Sequence, residues 1–114
     1  MDVVGPRWVP VRGDVYLVEL GLTRGSEIRK TRPCVVVSPD ELNTHLRTVI
    51  VAPMTTRGHA YPWRVHCRFH RRAGFVVLDQ VRTVDGERLV RRLGRLAPAT
   101  LSAVLHGFQE MFAE

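Results

Sequence analysis

Two polar side chains, Arg32 and Thr55, stand at the ends of apolar stretches that have the composition of buried β-strands. Arg32 comes just before the stretch 33–38, and Thr55 follows the stretch 47–54. If these strands are neighbours in one sheet, both side chains lie at the same end of it. A guanidinium group and a hydroxyl group placed together can hold a phosphodiester, because both donate hydrogen bonds to phosphate oxygens.

Such a pair needs no metal if the substrate brings its own nucleophile. RNA does so, since a 2′-hydroxyl lies beside each phosphate. The protein then has to hold ribose and phosphate in line and stabilise the charge on the pentacoordinate phosphorus. The alternative interpretation of the two residues is structural, with Arg32 as a solvated charge at a strand edge and Thr55 as an ordinary turn residue.

Other chemistries fit the sequence poorly. His66, Cys67 and His70 have the residue types of a metal site. On a strand, however, the two histidines would be roughly 13 Å apart and the cysteine would face the other side, which one zinc ion cannot bridge. No glycine-rich phosphate loop ending in Gly-Lys-Ser/Thr occurs. We therefore expect no metal and no cofactor.

The charge of the chain is positive and unevenly distributed. The 114 residues include 17 Lys and Arg against 11 Asp and Glu, a net charge of +6. No acidic residue lies between Glu41 and Asp79, whereas the same segment carries Arg47, Arg57, Arg64, Arg68, Arg71 and Arg72. Concentrated positive charge attracts polyanions. The partner predicted from charge is either a nucleic acid or an acidic protein.

Length and composition are typical of one small globular domain, with 45% hydrophobic residues. No apolar stretch approaches the about 20 residues that a membrane-spanning helix needs, and the N-terminus lacks the pattern of a signal peptide. Cys34 and Cys67 are too few for a disulfide framework, so we expect buried free thiols in a reducing compartment. The expectation is a soluble, cytoplasmic single domain over 1–114, with 1–11 as an N-terminal extension.

Apolar periodicity predicts the elements that position these residues. Strands are predicted at 12–20, 33–38, 47–54, 61–69, 75–83 and 90–96, with one helical turn at 39–43. From Pro98 onward, apolar residues recur at spacings of three and four, which predicts an amphipathic helix; they are Leu101, Val104, Leu105, Phe108, Met111 and Phe112. The fold class is mainly β (α+β), a small curled sheet or barrel that carries a helix.

Four blocks of the sequence, in this order, resemble the MazF/PemK family of toxin endoribonucleases (mRNA interferases) of type II toxin–antitoxin systems. They are 12–16 (RGDVY), 25–38 (GSE followed by TRPCVVVS), 49–55 (VIVAPMT) and 78–89 (LDQVRTVD followed by RL). The resemblance implies an SH3-like barrel of twisted antiparallel strands with short helices, assembled as a homodimer. It further implies metal-independent cleavage of single-stranded RNA at short sequences through 2′-hydroxyl attack, with 2′,3′-cyclic phosphate and 5′-hydroxyl ends, and neutralisation by an acidic antitoxin.

The resemblance places the family's catalytic arginine on Arg32 and its catalytic threonine on Thr55. Further residues of the RNA site are expected at Ser26, Glu27, Asn43, Thr56, Arg57 and Gln80. An arginine side chain has a pKa above about 12 and is a poor base, so Arg32 is expected to stabilise the phosphate and the transition state. Glu27 and His59 are the candidates for the base.

Several alternatives stay open on the sequence alone. Glu27 could form an ion pair with Arg24 or Arg29, and Gln80 could be a satisfied buried amide. Tyr61 and Trp63 could stack bases or pack in the core or a dimer. The chain could also be a non-cleaving toxin of the same fold that binds DNA gyrase, or a binding module without activity.

Overall fold

The computed structural model describes residues 9–22 and 29–114. In these ranges seven strands run in chain order, with a short helix α1 (Asp40–His45) after the second strand and a longer helix α2 (Pro98–Met111) at the end. The strands are β1 (Asp14–Leu22), β2 (Arg29–Val36), β3 (Thr48–Thr55), β4 (Arg64–Phe69), β5 (Arg72–Val77), β6 (Arg82–Asp85) and β7 (Leu89–Arg95). Neither helix of the described chain has the length and apolar content needed to cross a membrane.

Strand β3 is the centre of the sheet and has three antiparallel neighbours. The sheet order is β4-β5-β3-β2-β1-β7, and β6 pairs with β3 as well. On one edge of β3, the residues 48–51 pair with β6, whereas Met54 and Thr55 pair with β5. Pro53 stands at this change of partner, where its missing N–H does no harm to a ladder. The change of partner bends the sheet into a half-barrel.

Alternate residues of the bent sheet build two apolar cores, because successive side chains of a strand face opposite sides. The inner core consists of Tyr16, Val18, Cys34, Val36, Val49, Val51 and Val84. The outer core contains Val15, Val35, Ala52, Met54, Val76 and Leu78, and α2 covers it with the fully buried Val104. The predicted mainly β fold with a C-terminal amphipathic helix is confirmed.

Helix α2 approaches the sheet closely at one residue. A Cβ at Gly107 would stand 2.5 Å from a methyl group of Leu78, so the absence of a side chain lets the helix approach that side chain. Leu101, Phe108 and Met111 pack against the outer core on the same helix face. The apolar helix face predicted from the sequence therefore packs on the core, and Pro98 lies in the first turn of the helix.

Three predicted strands differ from the structure. The strand predicted at 61–69 begins only at Arg64, as β4. The strand predicted at 75–83 is wrong as a continuous element, because a 3-10 turn (Leu78–Gln80) separates β5 from β6. The Leu78 side chain is fully buried, its N–H donates to the Trp63 carbonyl, and the Val81 N–H closes the turn on the Leu78 carbonyl. The strand predicted at 33–38 begins four residues earlier, which places Arg32 inside β2.

Candidate active site

The predicted neighbourhood of Arg32 and Thr55 is present in the structure. Strands β2 and β3 pair antiparallel with Cys34 opposite Pro53, and this register continued by two residues sets Arg32 opposite Thr55. Arg32 itself pairs with Val18 of β1, so it is held within the sheet. Both residues line one open cleft. The convergence expected from the sequence is therefore observed, with Thr55 as the last residue of β3.

The cleft lies between the ends of β2 and β3, the loop after β3 and the β4–β5 hairpin. Its volume is about 540 Å³, and its lining includes Arg32, Thr55, Thr56, Arg57, Gly58, Arg64, Arg72, Gly74 and Gln80. Four of the lining residues are arginines, and the described lining contains no carboxylate. Positive charge without internal compensation makes this cleft a site for an anionic ligand.

The hydroxyl of Thr55 is oriented by the chain that follows it. The backbone N–H of Arg57 donates to Thr55 Oγ1 over 3.0 Å, which bends the chain away from the end of β3. Because this oxygen acts as an acceptor within the protein, its own O–H remains available as a donor to a ligand. Thr55 is half-buried at the floor of an open cleft, where a phosphate oxygen can accept from it.

Gly74 permits the backbone contact that holds Thr55 in place. A Cβ on this residue of β5 would overlap the Thr55 carbonyl oxygen and stand 3.3 Å from Thr56 Cα. Any side chain here would push β5 away from the end of β3. Nothing local to residue 74 in the sequence reveals which distant backbone passes over it.

The thiol of Cys34 lies below Arg32 on the same side of β2. Burial raises the pKa of Cys34 to about 12, while the guanidinium groups of Arg32 and Arg82 act in the opposite direction with smaller effect. The thiol is therefore neutral at physiological pH and does not serve as a nucleophile. Burial likewise raises the pKa of Cys67. Both cysteines are buried and free, as predicted.

The other predicted site residues divide into three groups. Thr56, Arg57 and Gln80 line the cleft with Arg32 and Thr55, and Gln80 reaches it from the 3-10 turn that interrupts the predicted strand. Ser26 and Glu27 lie outside the described residues. His59, the other candidate base, is exposed in the loop after Thr55 and is not part of the cleft lining.

Asn43 is placed away from the cleft, at the opposite end of β2 and β3. It is buried on α1, and its amide donates to the carbonyls of Pro10 and Ser38 over 3.2 and 3.1 Å. Its Oδ1 accepts from the Ser38 hydroxyl, whose oxygen accepts from the Ile50 N–H. We call Ser38, Asn43 and the groups bonded to them the Asn43 network. The structure gives Asn43 a structural role, and its contact with RNA stays a prediction.

Sequence reasoning missed two arginines of the cleft, Arg64 and Arg72. Both belong to the acid-free segment whose charge pointed to a polyanion, so the signal was present at the level of the segment. Which arginines of the segment face the cleft depends on the β4–β5 hairpin. Arg68, in the same hairpin, is exposed and is not part of the cleft lining.

The chain is a small antiparallel half-barrel with an arginine-rich cleft at the end of its central strand, and the charge of this cleft favours a polyanionic ligand. The family model described as PemK-like, MazF-like toxin of type II toxin-antitoxin system matches residues 11–112. The chain belongs to this family. The resemblance inferred from the four sequence blocks is thereby confirmed.

Relatives of known structure or activity support the same assignment. The chain is 33% identical over 99 residues to the endoribonuclease toxin MazF of Escherichia coli (strain K12), with 86% of this chain and 89% of the relative covered. The MazE–MazF complex of Deinococcus radiodurans matches with a TM-score of 0.78 and 25% identity over 94% of this chain and 100% of that one. A mycobacterial endoribonuclease in complex with its cognate antitoxin matches with a TM-score of 0.75 and 26% identity, covering 89% and 92% of the two chains.

Proposed function

We propose that this protein is a toxin endoribonuclease that cleaves single-stranded RNA at short specific sequences without a metal ion. The observation that carries the proposal is that Arg32 and Thr55 line one cleft together with three further arginines. The named activity of the Escherichia coli relative, at 33% identity over most of both chains, supports the same reaction. We place its action in the cytoplasm, where messenger RNA is exposed to it.

The proposed reaction is an internal transfer of the phosphodiester. The ribose 2′-oxygen attacks the adjacent phosphorus while the bond from phosphorus to the 5′-oxygen of the next nucleotide breaks. One product end is a 2′,3′-cyclic phosphate and the other is a 5′-hydroxyl. The proton of the 2′-hydroxyl goes to a base, and the leaving 5′-oxygen gains one, so that atoms and charge balance without an added reagent.

Arg32 and Thr55 supply charge and position for this step. The guanidinium charge of Arg32 stabilises the extra negative charge on the phosphoryl oxygens. Thr55 donates its hydroxyl proton to the same phosphate, with its oxygen fixed by the Arg57 N–H. Together they hold phosphorus in line with the 2′-oxygen.

The base is assigned to one of two residues, His59 or Glu27. A histidine has an unperturbed pKa of about 6.5, which suits a base near neutral pH. Replacement of each by glutamine, followed by single-turnover cleavage across pH 5 to 9, distinguishes them. The variant that lacks the base loses the rising limb of the pH profile, whereas the other retains it.

We further propose that the protein acts as a homodimer and is neutralised by an acidic antitoxin. The two solved structures named above are toxin–antitoxin complexes, which supports a partner of this kind. The acid-free segment, with the cleft residues Arg57, Arg64 and Arg72, offers the complementary surface. Antitoxin binding is therefore expected to compete with RNA and to weaken as salt rises. Affinity that does not change with salt would contradict the electrostatic part.

The test is incubation of the protein with a defined long single-stranded RNA in EDTA. The expected result is cleavage at a short recurring sequence, with cyclic phosphate ends identified by mass spectrometry. A 2′-deoxyribose on the 5′ side of the cut should block that cut alone. Cleavage that needs a metal, or that survives the deoxyribose, would contradict the mechanism. Intact RNA together with inhibited supercoiling by DNA gyrase would instead support a non-cleaving toxin of the same fold.

A further inference from the structure

Arg64, the first residue of β4, lines the cleft and contacts neighbouring residues on more than one side. Its guanidinium carbon lies 4.4 Å from the centre of the Tyr61 ring, a cation–π arrangement. The Nη1 atom of Arg64 also lies close to Gly58: a Cβ atom added at residue 58 would stand 2.5 Å from this nitrogen. The backbone N–H of Arg64 donates to the backbone carbonyl of Tyr61 over 3.1 Å. This hydrogen bond closes the turn that carries both side chains.

The charge of Arg64 has no carboxylate partner within the described residues. The ion pairs of that part of the chain join Arg92 and Arg95 to Asp14, on another part of the molecule. The Arg64 Nε is buried and has no hydrogen-bond partner. A partly desolvated guanidinium without compensation destabilises the free protein. Such a group is explained if a ligand supplies the missing negative charge.

We propose that Arg64, braced by Tyr61, binds a second phosphate of the RNA backbone, next to the one held by Arg32 and Thr55. This inference rests on the proposed function. Both arginines line the same cleft, so one RNA strand that places its scissile phosphate at Arg32 passes Arg64 with a neighbouring nucleotide. Tyr61 covers a face of the guanidinium, Nη1 lies against Gly58 and Nε is buried, so the remaining N–H groups of this fork are the ones that can donate to a phosphate oxygen.

The role of Arg64 is binding and register, not chemistry. A phosphate that does not react carries the same charge in the ground state and in the transition state, so its contact lowers KM and leaves kcat unchanged. Arg32 differs, because it meets charge that develops during the reaction. The split between KM and kcat therefore separates the two arginines of one cleft.

The first experiment measures affinity for an RNA oligonucleotide made uncleavable by one 2′-deoxyribose at the cut site. Arg64→Gln should raise Kd about 10-fold, the scale of a lost hydrogen bond to a charged group. The slope of log K against log salt should become shallower by about 0.7, as expected for one lost phosphate contact on a single strand. Arg68→Gln removes the same charge from an exposed position of β4 outside the cleft. It is the matched control and should change Kd less than about 2-fold.

The second experiment locates the phosphate. Each non-scissile phosphate of the same oligonucleotide is replaced in turn by an uncharged methylphosphonate. For the unmodified protein, one neighbouring position should weaken binding about 10-fold, and for Arg64→Gln that same position should have no further effect. Arg64→Lys should restore the salt slope but only part of the affinity, because lysine lacks the fork.

The outcomes distinguish the inference from the proposed function. If RNA is bound and cut but Arg64→Gln behaves like Arg68→Gln, the second phosphate site is overturned and the enzyme assignment stands. If no methylphosphonate at a non-scissile position weakens RNA binding by the unmodified protein, the inference is overturned, and no variant is needed to show it. If the unmodified protein neither binds nor cuts RNA, the proposed function itself fails.

Discussion

The two ends of the β2–β3 pair use polar residues in opposite ways. At one end, the buried Asp14, Ser38 and Asn43 have partners within the chain. At the other end, Arg32 and Arg64 line an open cleft whose described lining holds no carboxylate. Satisfied polar groups stabilise the fold, whereas unsatisfied ones are available to a ligand. The comparison indicates that the Asn43 network stabilises the fold, whereas the charge of the cleft favours an anionic ligand.

The largest effect is expected at Arg32. Arg32→Ala should lower the cleavage rate by about 10² to 10³-fold, because a preorganised charge at the phosphoryl oxygens is lost. Single-turnover kinetics with saturating protein measures this loss. Circular dichroism and the urea midpoint should remain close to those of the unmodified protein, since Arg32 has no ion-pair partner among the described residues. Cleavage that persists in Arg32→Ala would contradict the assignment of the site.

The next effect tests whether the backbone around Thr55 matters as much as its hydroxyl. Gly74→Ala should reduce kcat/KM by about 10²-fold, because the new methyl group must displace the end of β3, and a misplacement of about 1 Å at a catalytic group is enough for such a loss. Its fold should be verified by near-ultraviolet circular dichroism before kinetics are measured. Full activity in a folded Gly74→Ala protein would show that the close approach at Thr55 is not needed.

A substitution in the Asn43 network, at the opposite end of the strands, should lower the stability of the protein and leave cleavage unchanged. Asn43→Ala leaves the Ser38 hydroxyl and the Pro10 carbonyl without their partner, which should cost about 2 kcal/mol of unfolding free energy. Urea denaturation measures this loss. Cleavage per folded molecule should stay within a factor of two or so of the unmodified protein. A large fall in kcat/KM at unchanged stability would instead support the predicted contact of Asn43 with RNA.

The smallest effect concerns the buried thiol beneath Arg32. The pKa of Cys34 is raised in the folded state to about 12, against a reference value of 9.0. Folding therefore favours the protonated thiol: this contribution is fully present below pH 9 and is lost as pH rises towards 12. At pH 10 the loss should be about 1 kcal/mol. The urea midpoint of the unmodified protein should fall between pH 8 and pH 10, and the fall should be smaller in Cys34→Ala. An equal fall in the two proteins would contradict this prediction.

The elements of the fold could be predicted wherever the pattern is local. Apolar stretches such as 15–20 and 33–38 indicated strands, and the spacing of Leu101, Val104 and Phe108 indicated α2. The strand predicted at 75–83 was wrong because its apolar run gave no local sign of the turn. That turn exists because Leu78 enters the outer core and its N–H donates to Trp63, fifteen residues earlier in the chain.

The candidate site divides in the same way between sequence and structure. Arg32 and Thr55 were recognisable from residue type, strand context and family resemblance, because these features are written along the chain. Tertiary structure alone decided that Arg64 lines the cleft while Arg68 does not, and that Asn43 lies far from it. The reason is physical: charge and apolar period are properties of a segment, whereas a buried hydrogen bond or an unpaired guanidinium depends on residues that only folding brings together.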